Sequence, residues 1–239
     1  MKYLLTLGAL IACMFVYGQH MPDNKSFGIK ASYNFSFPSF SATPNASLSS
    51  TTNPSFGAGF YFRYDFNDRF SFQPELLISS RSGTVNYATV AEPTTAITVT
   101  ETSLSNLSQV TAELPLYFKM RWELTALHRG HYKPNKMIGV VVGPRVLFNM
   151  ASSRETYSSE VTRLYNQESS LFVNGDKTSA SDYYSTVTMG INVGVDFEVL
   201  DRLVLFANFY RGFISMNKSS QGFTSFDNRV EVGAGIKLY

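Results

Sequence analysis

Phe27-Gly-Ile-Lys-Ala-Ser-Tyr-Asn-Phe-Ser-Phe37 decides how this chain folds. Every odd position in it is apolar, and every even position is small or polar. Successive side chains of a strand point to opposite faces, so the segment has one greasy face and one wet face. The alternation returns in seven further segments: Phe56–Phe66, a third beginning at Phe70, Val110–Trp122, 137–150, Val187–Val199, 203–214 and 229–239. Almost no charge falls on the apolar parity. In Val187–Val199 the odd positions run Val, Met, Ile, Val, Val, Phe, Val, against Thr188, Gly190, Asn192, Gly194, Asp196 and Glu198. A closed sheet with lipid outside and a polar lumen inside requires this arrangement. The expectation is an all-β chain: a closed, antiparallel, 8-stranded transmembrane barrel with up-and-down connections.

Composition points the same way. Charged residues make up 16% of the 239 residues, below the roughly 25% of a soluble domain, while there are 20 Phe and 14 Tyr. The net charge of +2 is too small to argue for a nucleic-acid partner. No apolar run after residue 17 reaches the length of a membrane-spanning helix. A soluble, lipocalin-like barrel would bury the greasy parity and expose the polar one. The glycines argue against it: Gly28, Gly57, Gly59, Gly139, Gly143, Gly190, Gly194, Gly233 and Gly235 all lie on the polar parity, where a narrow barrel interior is crowded.

Residues 1–18 read as a signal peptide, with Lys2 as the positive n-region, an apolar run from Tyr3 to Val16, and small residues before a mature start at Gln19. Its removal takes the formal charge from +2 to +1 and removes the only cysteine, Cys13. Leu10-Ile-Ala-Cys13 also resembles a lipoprotein cleavage box, although Met-Phe-Val-Tyr rather than a polar linker follows it. Residues 19–239 form the barrel domain.

Loop lengths orient it. The turns after the second and sixth segments are two or three residues long, and 123–136 is intermediate. The stretches 38–54, 82–108 and 151–182 are long and Ser/Thr-rich, and read as polar loops, with Ile97-Thr-Val-Thr able to extend a strand beyond the membrane. Bacterial barrels have short periplasmic turns and long outer loops, which places both termini in the periplasm of a Gram-negative bacterium. Two features are irregular. Pro74 lacks a ladder donor and suggests a bulge. In 203–214 both faces are partly apolar, and Arg211 falls on the lipid parity. Phe66, Phe70 and Trp122 at one end, with Phe37, Phe148 and Tyr183 at the other, fit interfacial aromatic girdles. The terminal Tyr239 resembles the C-terminal aromatic read by the barrel-assembly machinery, although it is off parity with Ile236 and Leu238.

The parity places Glu75, Glu113, Glu231, Arg145 and Arg229 in the lumen at similar height, with Arg63, Lys119, Asp196 and Lys237 nearer the periplasmic turns. Charges in a narrow space persist only when paired. The cluster therefore reads as a plug of salt bridges, with a gated path for ions or small solutes as the alternative. No catalytic site is expected: the three histidines are His20, near the mature start, and His128 and His131, in a periplasmic turn, so no nucleophile–His–carboxylate set can form at the outer rim. His128 and His131 lack a third ligand, and no metal or other cofactor is expected. His128, Arg129, His131, Lys133 and Lys136 form a basic patch that could contact a periplasmic partner.

Four stretches carry a resemblance: Phe70-Ser-Phe-Gln-Pro-Glu-Leu-Leu77, Ala112-Glu-Leu-Pro-Leu-Tyr-Phe-Lys119, Gly139-Val-Val-Val-Gly-Pro144 and Val232-Gly-Ala-Gly-Ile-Lys-Leu-Tyr239. As a spaced set over about 27–239 they resemble the PorT-like family of outer-membrane β-barrels, a porin-like group. The resemblance implies an 8-stranded barrel in the outer-membrane bilayer without catalytic residues. The family's founding member is an accessory of the type IX secretion and gliding system, which implies protein partners in a secretion assembly.

Overall fold

The computed structural model describes residues 24–41, 46–90, 97–124, 136–164, 167–179, 184–199, 202–216 and 224–238. The signal-peptide reading, Tyr183, Tyr239 and most of the basic turn (His128, Arg129, His131 and Lys133) lie outside them. In chain order the strands are β1 (Lys25–Ser36), β2 (Ser39–Ser41), β3 (Ala46–Asn53), β4 (Ser55–Asp65), β5 (Phe70–Val90), β6 (Ile97–Glu123), β7 (Met137–Leu164), β8 (Gln167–Ser179), β9 (Val187–Val199), β10 (Leu203–Gly212), β11 (Thr224–Phe226) and β12 (Asn228–Lys237).

Eight of these close a barrel in the order β1, β4, β5, β6, β7, β9, β10, β12 and back to β1, every pairing antiparallel. The two faces separate as the alternation requires. Along β1, Lys30, Ser32, Asn34 and Ser36 are buried, while Ile29 and Phe35 are exposed. The outward apolar run on β5 extends from Phe70 to Ile78 and gives way to Ser80, close to the length a tilted strand needs to cross the hydrocarbon core. Phe66, Phe70 and Trp122 are exposed at the short-turn end, and Phe37 and Phe148 at the other.

Glycines on the inner face make room for large neighbours. A Cβ on Gly28 would lie 2.4 Å from the Tyr61 ring, and one on Gly233 2.5 Å from the Phe206 ring. Such pairing of nothing with something large fills a lumen that eight strands leave only side-chain wide.

Three long stretches differ from the expectation of loops. β5 and β6 continue their ladder from Ser80↔Val110 to Val90↔Thr100, and β7 follows β6 as far as Leu164. β8 extends β7 on its other side, and β3 pairs with the upper part of β5. The short β2–β11 ladder adds a further pairing from 38–54. Beyond the membrane both faces of a strand meet water, so alternation is no longer selected, while Thr and Ser still pair well through the backbone.

Pro74 does not produce a bulge. The β5–β6 register is the same at Pro74↔Leu116 and Leu77↔Glu113, with the positions between them unpaired. Pro74 and Pro115 lack the N–H that the ladder needs there, so bonds are lost without a slip. The register shift lies instead between Val110 and Thr111, opposite β7, where the barrel gives way to the long hairpins. β10 is regular from Leu203 to Gly212, with Phe206, Asn208 and Tyr210 buried inward. Its two-sided apolar character is real, and the inner aromatics have a purpose in the lumen.

Candidate functional site

The lumen is filled by ion pairs stacked along the axis. At the long-hairpin end Arg81 Nη1 lies 2.7 Å from Asp227 Oδ2. Below it, Arg229 donates through Nη1 and Nη2 to the two oxygens of Glu113 at 2.8 and 3.0 Å. Arg145 Nε lies 2.9 Å from the same carboxylate, and Arg145 Nη1 donates to Glu231 Oε2 at 2.9 Å. Ser79 also donates to Glu113, as does Thr111 at 3.1 Å. The side chains of Glu113 and Arg229 have no solvent exposure at all. β5, β6, β7 and β12 supply these groups at inward positions, except Asp227, which lies between β11 and β12.

One level lower, Lys30 donates to both oxygens of Glu75 at 2.8 Å, and Gln73 donates to Glu75 at 2.6 Å. Toward the short-turn end Lys119 Nζ lies 2.6 Å from Asp196 and 2.5 Å from Glu198, and Arg63 Nη1 lies 2.5 Å from Glu198. Arg121 closes the series on Asp65 at 2.9 Å. Seven cations and seven carboxylates take part in these pairs. Isolated buried charges would cost several kcal/mol each, so neutrality is the condition for a polar lumen this deeply buried.

Aromatic side chains complete the packing. Lys30 Nζ sits 3.9 Å from the centre of the Phe206 ring, and the guanidinium carbons of Arg229 and Arg145 lie 5.4 and 5.8 Å from that of Tyr210. A desolvated cation over an aromatic face gains about 2 kcal/mol. The inward aromatics of β10 thus support the network from a strand that brings no lumen charge of its own.

The structure brings Glu113, Arg145, Arg229 and Glu231 together. Glu75, grouped with them by its height in the sequence, pairs with Lys30 instead. Lys30, Arg81, Asp227, Asp65, Arg121 and Glu198 are network members that the sequence reading left out of the cluster. Lys30 is visible as the one charge on the wet parity of the opening segment. Asp227 lies two residues before the expected start of the last strand. Lys136 is exposed, and its carbonyl accepts from Leu124 N at 2.8 Å at the base of the β6–β7 turn.

The void inside the network, bounded by Lys30, Glu75, Tyr117 and Phe206, is about 10 Å³. That is roughly the space of one water. A cavity of about 920 Å³ opens at the short-turn end and is floored by Arg63, Glu198 and Lys237. A cleft of about 60 Å³ at the opposite end reaches down to Arg81 and Asp227.

A sealed, charge-balanced lumen inside an eight-stranded wall with a greasy outer face is the architecture of a small membrane barrel. The model of the outer membrane protein beta-barrel domain family matches residues 18–218. The chain belongs to this family. No curated protein matches the sequence. Among solved structures, this barrel is similar to OprG from Pseudomonas aeruginosa, at 12% identity and a TM-score of 0.42, covering 90% of this chain and 96% of that one. It is also similar to Ail, the attachment invasion locus protein of Yersinia pestis, solved with the heparin analogue sucrose octasulfate, at 12% identity and a TM-score of 0.34, covering 90% and 97%. The toluene transporter TodX of Pseudomonas putida follows at 8% identity and a TM-score of 0.21, covering 91% and 90%. What OprG, Ail or TodX bind is a property of those proteins.

Proposed function

We propose that this barrel is a non-enzymatic structural and interaction protein of the outer membrane, an accessory of a type IX-like protein-secretion assembly with both termini in the periplasm. The observation that carries the first part is the packed lumen: a wall filled by neutral ion-pair layers, with a void of about 10 Å³ between Lys30, Glu75, Tyr117 and Phe206, suits a protein that works through its surfaces. The secretion role follows from the PorT-like resemblance. The orientation follows from the short turns at one end and the long β5–β6 and β7–β8 hairpins at the other. Partners then meet either those hairpins or the basic turn formed by His128, Arg129, His131, Lys133 and Lys136. Barrel insertion itself requires the barrel-assembly machinery. The test is the set of proteins released to the medium with and without this gene. Loss of specific cargo, restored by the gene, supports the accessory role, and an unchanged set removes it.

A second reading is a small gated pore for ions or small solutes. The observation favouring it is that spaces at the two ends face each other across the ion-pair layers. Planar-bilayer recordings decide this. Glu113→Gln should raise conductance if the network is a gate. Silence in both the wild type and the variant, with the variant correctly inserted, leaves the interaction role alone.

A further inference from the structure

We infer that Arg211 is a binding site for the phosphate of a lipid headgroup at the long-hairpin end of the barrel. Arg211 is an ionised side chain on the outward face of the wall at the long-hairpin end, as Lys25 is at the short-turn end. It is exposed and stands next to last on β10. No bulge excuses it: the registers Arg211↔Asn228 and Arg211↔Ile191 continue those of the preceding residues without a shift. Its outward neighbours are lipid-facing, with Phe209 before it, Phe213 after it and Ile191 beside it, all substantially exposed. Among the described residues Arg211 forms no ion pair. Asp227, just before β12, is buried and is taken by Arg81 at 2.7 Å.

A lipid-facing arginine costs about 2–4 kcal/mol at the bilayer midplane and little at the interface. Its place at the end of β10, with a stem long enough to reach outward, puts the guanidinium at headgroup depth. What it meets there must supply the missing anion. Guanidinium forms a planar, two-pronged contact with phosphate, stronger and more directional than an ammonium makes. The described residues offer no internal partner, so the outside supplies one. The inference rests on the barrel standing in a bilayer, which migration of the unboiled protein on a gel reports separately.

The experiment places wild type, Arg211→Gln and Arg69→Gln in vesicles of digalactosyl diacylglycerol, which carries no phosphate. The same vesicles are then doped with phosphatidylglycerol or with a phosphorylated glycolipid of the lipid A type. The denaturant midpoint of unfolding should rise with phosphate lipid for the wild type and for Arg69→Gln, an exposed cation of the short-turn end. The rise should vanish in Arg211→Gln, whose midpoint in phosphate-free vesicles equals or exceeds that of the wild type. Whichever doped lipid gives the larger rise is the source of the phosphate. A full rise in Arg211→Gln, or none in the wild type, overturns the inference. Native mass spectrometry of protein extracted from membranes needs no refolding: Arg211→Gln should retain fewer phosphorylated lipid adducts, and equal adducts also overturn it.

Discussion

β7 belongs to two regions at once, and its halves obey different rules. From Met137 to Phe148 it pairs with β9, and inward Gly139, Val141, Gly143 and Arg145 alternate with exposed Ile138, Val140 and Val142. From Ser153 to Leu164 it pairs with β8 and β6, through Ser-Arg-Glu-Thr-Tyr-Ser-Ser-Glu-Val-Thr-Arg-Leu, with no alternation of that kind. The backbone ladder runs through both halves. Pairing is a property of the backbone, whereas alternation reports what lies on each face. The membrane wall has lipid on one side and a crowded lumen on the other. The hairpin half has left the membrane, and its sequence is released from that constraint.

This contrast can be broken most severely from inside the wall. Glu113→Gln leaves Arg145 and Arg229 with a weaker counter-charge in a fully buried space, and should destabilise the barrel by about 3–5 kcal/mol, as removal of one partner from a buried network does. Denaturant unfolding in vesicles measures it, and a loss below that of an exposed salt bridge would show that the lumen is wet. Next in size is the outer face. Val193→Arg places a charge in the middle of β9's lipid side, opposite Phe209, and should cost about 2–4 kcal/mol. A neutral result would mean that this parity does not meet hydrocarbon. The smallest effect belongs to the hairpins. Thr84 Oγ1 is bonded to Asn106 Oδ1 at 2.9 Å in an exposed position. Thr84→Arg should change stability by no more than about 0.5 kcal/mol, because surface substitutions away from packed features rarely do more. Comparison of Val193→Arg with Thr84→Arg under one condition locates the membrane boundary, since the same side chain is introduced on the same outward parity.

Much of the wall was legible because each strand carries its own record of both faces. Leu114, Leu116 and Phe118 face out, and Glu113, Tyr117 and Lys119 face in, as a period of two demands. The hairpins were not legible as strands. Ser, Thr and Asn in water carry no periodicity, and only the partner strand shows that 82–90, 97–108 and 151–164 are paired. The charge cluster was legible as a set and not as pairs. Inward parity identifies which side chains share the lumen. Which carboxylate meets which cation depends on how far each strand is displaced against the next.

By itself the sequence determined the eight wall strands, the parity of every wall segment, the sign of each face and the presence of a balanced lumen, because alternation is local and each residue answers to its own surroundings. Only the tertiary structure decided that Glu75 meets Lys30 while Glu113 is shared by Arg145 and Arg229, that Tyr210 and Phe206 lie under the cations, and that Arg211 has no ion-pair partner among the described residues. Those outcomes depend on the stagger of eight strands around a closed ring. That stagger is a property of the whole ring, and no single segment encodes it.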